Sequence, residues 1–309
     1  MRIVATEDVA ETLDWYVVVE ALKQGHRLPK AKLGDQFLTR DQDTLLSRAA
    51  WIDGLGVGVK SMTIVPENTA KGLPSVQGGM LVFDDTTGAP EALIEGTLVT
   101  YWKTAGDSAL GARLLARPES EVMLVVGAGT VAESLIRAYS AVMSNLKTFL
   151  IWNRSPDKAV ALAHALSEEG FDAQPVADLQ NAVGQADIVC TATMARTPVL
   201  KGEWITEGTH VDLIGAFKAD MREADDALLQ KGRLFVDSRE TTIEHIGELL
   251  IPIASRAITE DAVLGDFYDL CNGGAGRRAA TDITVFKNGG GAHLDLMTAK
   301  AILGHLRTD

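Results

Sequence analysis

Residues 122–155 read VMLVVGAGTVAESLIRAYSAVMSNLKTFLIWNRS. A run of β-forming residues (Val122, Leu124, Val125, Val126) meets Gly127-Ala128-Gly129, and a helical pattern follows with Val131, Leu135, Ile136, Tyr139 and Val142 on one face. After a polar linker, TFLIW supplies a second β run that ends in Asn153-Arg154-Ser155. Strand, tight turn, helix and strand at this spacing predict a dinucleotide-binding unit. Gly127 permits the turn, Gly129 lets a pyrophosphate approach the backbone, and Ala132 stands where a third glycine often allows close helix-to-strand packing. Free N–H groups and the positive end of the helix dipole then hold the diphosphate near Thr130 and Val131. The usual acidic partner of a ribose 2′-hydroxyl is missing, and Arg154 with two small polar neighbours suits a 2′-phosphate. The stretch therefore predicts NAD(P)H as cofactor and favours NADPH; a guanidinium that only stacks on adenine leaves NADH open.

Downstream, the runs FDAQPV, ADIVCTAT, HVDLIGAF and RLFVDS alternate with helical segments around 156–169, 176–184 and 222–230. Such alternation predicts an α/β fold with a parallel, doubly wound sheet, beginning after Pro118. Thr191, Thr193 and Ile214 fall where strands end, and ligands of such sheets sit outside the carboxyl ends of strands. Residues 242–270 read as a helical region, and Gly289-Gly290-Gly291 leads into a last helix from about Ala292 that carries Leu294, Leu296, Met297 and Ile302.

Upstream, a short strand (residues 2–5) precedes a helix capped by Thr6 or Asp8, with Val9, Leu13, Val17 and Leu22 among its apolar residues. From Phe37 to Phe83 short strands are broken by glycines, and Asp84-Asp85-Thr86-Thr87-Gly88 signals a hairpin, so this part reads as a mostly antiparallel sheet. Lys60 interrupts the apolar strand GVGVKSMTIV. It either points to solvent from an edge strand or faces a pocket, where burial lowers a lysine's pKa enough for proton transfer. Lys103 poses the same question at the start of a helix rich in small residues.

The chain has 309 residues, 46% hydrophobic and 23% charged, enough for two domains of ordinary globular composition. A net charge of −13 argues against nucleic acid or an anionic membrane as partner, so an anionic substrate needs a local basic pocket. Cys190 and Cys271 are too few for a disulfide framework, and the scattered histidines offer no pair at metal-ligand spacing. The acidic, weakly apolar N-terminus is no signal peptide, which predicts a cytoplasmic protein.

Several segments, in order, resemble the ornithine cyclodeaminase and mu-crystallin family: GVKSMTIVP around Lys60, TYWKTAGDSA around Lys103, VVGAGTVAE, IWNRS, DIVCTAT, DLIGAF, READD, VDS at Val236 and TVFKNGGGAHLD. The resemblance implies a Rossmann domain (118–284) inserted into a substrate-binding and dimerisation domain (1–117 and 285–309), and a homodimer that pairs through the antiparallel sheets. By position it makes Lys60 the active-site lysine, sets Lys103 where an arginine is common, and puts Thr104, Gly129, Thr130, Val131, Asn153, Arg154, Ser155 and Asn288 on cofactor-contact positions.

The family's enzymes share a substrate with a carboxylate beside an amine or imine carbon. The expected function is NAD(P)H-dependent reduction of an imino acid, with Lys60, Lys103 and Arg48 as catalytic residues. Three cations near one pocket favour a dicarboxylate, iminosuccinate giving aspartate. The alternatives are a pyrroline-2-carboxylate or ketimine reductase, an alanine dehydrogenase-like enzyme, and a binding protein that keeps NADPH without turnover. Ornithine cyclodeamination is disfavoured, since Ala216-Phe217-Lys218 replaces the aspartate-bearing turn of the cyclodeaminases.

Overall fold

The chain opens on β1 (Arg2–Val4) and a 3-10 turn, Thr6–Asp8, before α1 (Trp15–Gly25). This helix starts later than a cap at Thr6 or Asp8 would place it. Asp14 is the cap, extended and accepting from the Tyr16 amide at 2.8 Å. Val18, Val19 and Leu22 form the buried face of α1, whereas Val17 is exposed, and Val9 and Leu13 are buried ahead of the helix. The computed structural model describes residues 1–9 and 12–308.

β2 (Lys32–Arg40), β3 (Asp43–Ile52), β4 (Gly56–Ile64), β5 (Val76–Phe83) and β6 (Pro90–Glu95) join β1 in a six-stranded sheet of order β1-β6-β5-β4-β3-β2. All its neighbours run antiparallel except β1 and β6. The expected hairpin joins β5 to β6, where Asp84 accepts from the amides of Thr86 and Thr87. β2 starts before the expected Phe37 and carries little apolar alternation, because it is an edge strand exposed along most of its length.

α2 (Gly96–Leu115) follows β6 directly, so Lys103 lies two turns inside the helix and not at its start. Two compact units result, Met1–Gly106 with Gly291–Asp309 and Asp107–Gly290, the division falling within α2.

The second unit runs β7 (Val122–Val126), α3 (Thr130–Val142), β8 (Thr148–Trp152), α4 (Pro156–Glu168), β9 (Asp172–Pro175), α5 (Leu179–Gln185), β10 (Ile188–Thr191), β11 (His210–Leu213), α6 (Asp226–Lys231), β12 (Arg233–Val236), α7 (Arg239–Thr242), α8 (Gly247–Ala254), β13 (Val263–Gly265), α9 (Phe267–Cys271) and β14 (Thr284–Lys287). Its eight strands are parallel, in the order β13-β12-β14-β11-β10-β7-β8-β9, so the direction of winding reverses between β7 and β10. Apolar residues of β7, β10, β11, β12 and β14 form its core. Residues 242–270 are not one helical region. Pro252 lies inside α8, Arg256 takes a positive φ of 64° just after it, and a strand, β13, follows.

α10 (Ala292–Thr308) belongs to the first unit, where it packs on α1 and on β3 and β4. Among the described residues no helix is long and apolar enough to cross a membrane.

Candidate active site

In the first unit, Lys60 is not on an edge: β4 lies between β3 and β5, and the residue is 7% exposed. Strand register sets Asp35, Arg48, Lys60 and Met80 directly opposite one another across β2, β3, β4 and β5, so all four project from one face. The Lys60 ammonium donates to Asp295 Oδ1 at 2.6 Å and to Thr100 Oγ1 at 3.4 Å. Asp295 stands in the first turn of α10, its side chain 2% exposed. Lys103, also buried, is one turn along α2 from Thr100.

Burial pushes Lys60 below the ordinary lysine value; Asp295 pulls it back up, and the charges of Lys103 and Arg48 lower it further. A buried ammonium held by one carboxylate beside two other cations gives up a proton more readily than a surface lysine. Arg48 is not a free cation: its Nε donates to Asp35 Oδ2 at 2.9 Å, and Nη2 lies 2.8 Å from the same oxygen in the ion pair. Next to Asp295, His293 is held neutral, its pKa lowered to about 3 by burial and then by Lys103. Its ring meets His26 edge-on at 5.4 Å.

In the second unit the two glycines of the turn divide their work. Gly127 has φ +134°, and a Cβ there would stand 2.5 Å from the Ala192 carbonyl oxygen, so the chain itself demands glycine. Gly129 is extended, and a Cβ there would meet no protein atom within 4 Å. The chain's packing does not demand this glycine, whereas a phosphate resting on the backbone would. α3 begins at Thr130 with Val131 next, and no side chain caps it, which leaves its amides for an anion. Ala132 is fully buried, as close helix packing requires. These residues fit a dinucleotide.

At the end of β8 the Asn153 amide donates to Ser155 O at 2.9 Å. Arg154 and Ser155 are exposed, and Arg154 makes no ion pair among the described residues. Thr191 ends β10 and Thr193 follows it, but their hydroxyls are already committed, donating to Glu223 at 2.8 and 2.7 Å. Glu223 also accepts from the amides of Thr193 (2.7 Å) and Gly215 (2.6 Å), tying together the loops after β10 and β11. Ile214 is nearly buried beside this tie, and Asn288 donates to Ser108 Oγ at 2.9 Å. Thr104 lies next to Lys103 on α2 in the first unit.

Sequence reasoning did not single out Asp35, His293, Asp295 or Glu223. Asp295 left a signal, an acid between Leu294 and Leu296 on a helix read as apolar. Asp35 left none, since it precedes the first residue read as strand.

Residues 48–308 match the ornithine cyclodeaminase/mu-crystallin family. The chain belongs to that family. It is 58% identical over 296 residues to a Δ1-pyrroline-2-carboxylate reductase of Paracoccus denitrificans, covering 96% of this chain and 94% of the relative. The structure resembles Thermococcus litoralis Δ1-pyrroline-2-carboxylate reductase in complex with NADH and L-proline, with TM-score 0.91, 31% identity and coverage of 100% and 98% of the two chains. The iminosuccinate reductase of Paracoccus denitrificans in complex with NAD+ aligns with the same TM-score, 0.91, at 25% identity and coverage of 100% and 97%. Within this family the chain is an NAD(P)-dependent oxidoreductase acting on C=N and CH–NH2 groups.

Proposed function

We propose that the chain reduces a cyclic imino monocarboxylate, Δ1-pyrroline-2-carboxylate, to proline. The observation that carries this reading is the charge on the Lys60 face. Three cations, Arg48, Lys60 and Lys103, meet two carboxylates, Asp35 and Asp295, which leaves one positive charge. One substrate carboxylate balances it, and a second would lie against Asp35 without a partner. The pyrroline-2-carboxylate reductase relative, at 58% identity, supports the same choice over the iminosuccinate reductase neighbour, at 25%. The expectation of a dicarboxylate counted Arg48 as unspent, and its ion pair with Asp35 removes that support.

In this reading Lys103 holds the carboxylate as a point charge. Lys60 gives its ammonium proton to the imine nitrogen, which makes the adjacent carbon electrophilic. Asp295 orients Lys60 and stabilises its charged form before and after that transfer. Bound NAD(P)H supplies the hydride that completes the change from imine to amine. Gly127, Gly129, Thr130 and Val131 would hold its diphosphate, with Thr104, Asn153, Ser155, Ile214 and Asn288 as further contacts; Thr191 and Thr193 shape the adjoining loop through Glu223. We place these contacts in a Rossmann domain of about residues 118–284, and substrate binding in the rest.

The same reading makes the protein a cytoplasmic homodimer. Exposed Phe37, Leu38 and Trp51 on β2 and β3 supply apolar surface for a second copy. Arg154 favours NADPH, so Arg154→Ala should weaken NADPH binding by about 1.5–3 kcal/mol and NADH binding far less. Equal losses in a fluorescence titration would make Arg154 an adenine contact.

The deciding assay offers purified protein Δ1-pyrroline-2-carboxylate, pyruvate with ammonia, and oxaloacetate with ammonia, each with NADH or NADPH. The cyclic imine should be reduced with the highest kcat/KM, and ornithine should release no ammonia. Faster reduction of either acyclic imine overturns the proposal.

A further inference from the structure

We infer that Glu223 is a positioning residue for the nicotinamide half of the cofactor: by clamping the loops that follow β10 and β11, it fixes the surface on which the hydride-donating ring rests. The inference rests on the dinucleotide site proposed at Gly127 to Val131, and the observations that carry it all lie within the second unit. The Glu223 carboxylate is fully buried, and each of its oxygens is filled twice. Oε1 accepts from the amide and the hydroxyl of Thr193, both at 2.7 Å, and Oε2 accepts from the Thr191 hydroxyl at 2.8 Å and the Gly215 amide at 2.6 Å. One side chain therefore joins the ends of two neighbouring strands. The loops also touch directly, since a Cβ on Gly215 would run into the Thr193 backbone. Glu223 is itself anchored, because Glu248 accepts from the amides of Glu223 and Ala224 at 2.7 and 2.9 Å. A carboxylate with four donors on an anchored backbone has one position, and the loops hung on it have one conformation.

The clamp's place in the sheet says what those loops serve. The loop after β10 adjoins the glycine turn, as a Cβ on Gly127 would stand 2.5 Å from the Ala192 carbonyl oxygen. β7 lies between β8 and β10. With the adenosine half assigned to Asn153, Arg154 and Ser155 at the end of β8, the other half of a dinucleotide crossing the carboxyl ends of the strands must run over β10 and β11. That is the surface Glu223 clamps. Glu223 and Thr191 are both fully buried, so they act on the cofactor through the loops and not by contact.

The competing explanation is a clamp that only stabilises the fold and treats the two halves of the cofactor alike. The test uses Glu223→Gln, which puts an amino group where one oxygen met two donors, and Thr191→Val, which removes one buried hydroxyl from the clamp. Calorimetric titration compares NADH and NADPH with ADP-ribose and its 2′-phosphate, fragments that keep adenosine and diphosphate and lack nicotinamide. Glu223→Gln should weaken the whole cofactor roughly tenfold to a hundredfold, the range for lost hydrogen bonds to a charged group, and the fragments by less than about twofold. Thr191→Val should weaken the whole cofactor about threefold and again spare the fragments. Equal losses for cofactor and fragment, or no loss of either, overturn the inference, whatever happens to the melting temperature. Should Glu223→Gln fail to fold, Thr191→Val decides by the same criterion. A Gly129→Val variant that keeps its affinity for cofactor and fragments would remove the diphosphate site, and the inference with it. Wild type that binds the cofactor but leaves Δ1-pyrroline-2-carboxylate unreduced sinks the substrate reading alone, and the titrations still decide the role of Glu223.

Discussion

The two units bury charge in opposite ways. In the first unit three cations, Arg48, Lys60 and Lys103, stand against two carboxylates, Asp35 and Asp295, around Lys60. In the second unit, Glu223, Glu248, Asp237 and Asp212 surround the single buried ammonium of Lys287. There the acids are consumed by backbone amides and by hydroxyls, Asp212 accepting from the Tyr139 hydroxyl at 2.6 Å. Glu248 accepts from the amides of Glu223 and Ala224 at 2.7 and 2.9 Å, and Asp237 accepts from those of Ser238, Gly289 and Gly290. Lys287 donates to the carbonyls of Leu213 and Asn288 at 2.8 and 2.7 Å. A buried charge whose hydrogen-bonding capacity goes to loop backbone is architecture. Where the charge is not spent on backbone, as at Lys60 and Lys103, we propose that it serves a ligand.

The sharpest way to break this contrast is at Asp295. Asp295→Asn removes the partner that raises the Lys60 pKa. We expect kcat/KM for the imine to fall by roughly 10²–10⁴, the range for a mispositioned proton donor. The basic limb of the pH–rate profile should move to lower pH, because the protonated lysine has lost its stabiliser. NADPH binding, assigned to the other unit, should hold. An unmoved basic limb would show that Lys60 is not the titrating donor.

A smaller effect separates the glycines of the turn. Gly129→Val should cost at least about 2 kcal/mol of cofactor binding, through lost charge-assisted hydrogen bonds to backbone amides, and barely change the melting temperature, since its side chain would have no protein neighbour at the Cβ. Gly127→Val should instead destabilise the fold, being forced to a positive φ against the Ala192 carbonyl. If both variants melt early and neither selectively loses cofactor, Gly129 is structural and the dinucleotide lies elsewhere.

How legible the chain was depends on the range of each signal. The strand–turn–helix at 122–142 and the hairpin at Asp84–Gly88 are local patterns, and both stand as read. Lys60 and Lys103 announced themselves as cations in apolar surroundings. Asp35 and Asp295 matter only through partners far away in sequence, a strand pairing in one case and the return of α10 in the other, which no local pattern encodes. The same limit bears on the substrate expectation: the cations could be counted from sequence, but the acid opposite Arg48 needed the register.

The smallest effect tests the architectural half of the contrast through pH. His210 is fully buried on β11, with Nδ1 2.9 Å from Thr284 Oγ1, and burial, followed by the charge of Arg277, lowers its pKa from 6.5 to about 3. A depressed pKa means that the unfolded chain binds the proton first, so the stability His210 contributes is present above pH 6.5 and is lost as pH falls toward 3. Asp212 and Glu248 have the opposite sign: burial raises both to about 7, so their contribution is present below the unfolded carboxylate values and is lost as pH rises through 7. Between these limits the slopes oppose, and wild type should show a shallow pH dependence in urea unfolding. His210→Asn keeps a side-chain partner for Thr284 and removes one titrating group. Whatever its cost at pH 7, that cost should shrink by about 2 kcal/mol at pH 5, where wild type carries the histidine penalty and the variant does not. A cost independent of pH would mean that His210 protonates in the folded protein, and that the second unit's interior is not sealed around its charges.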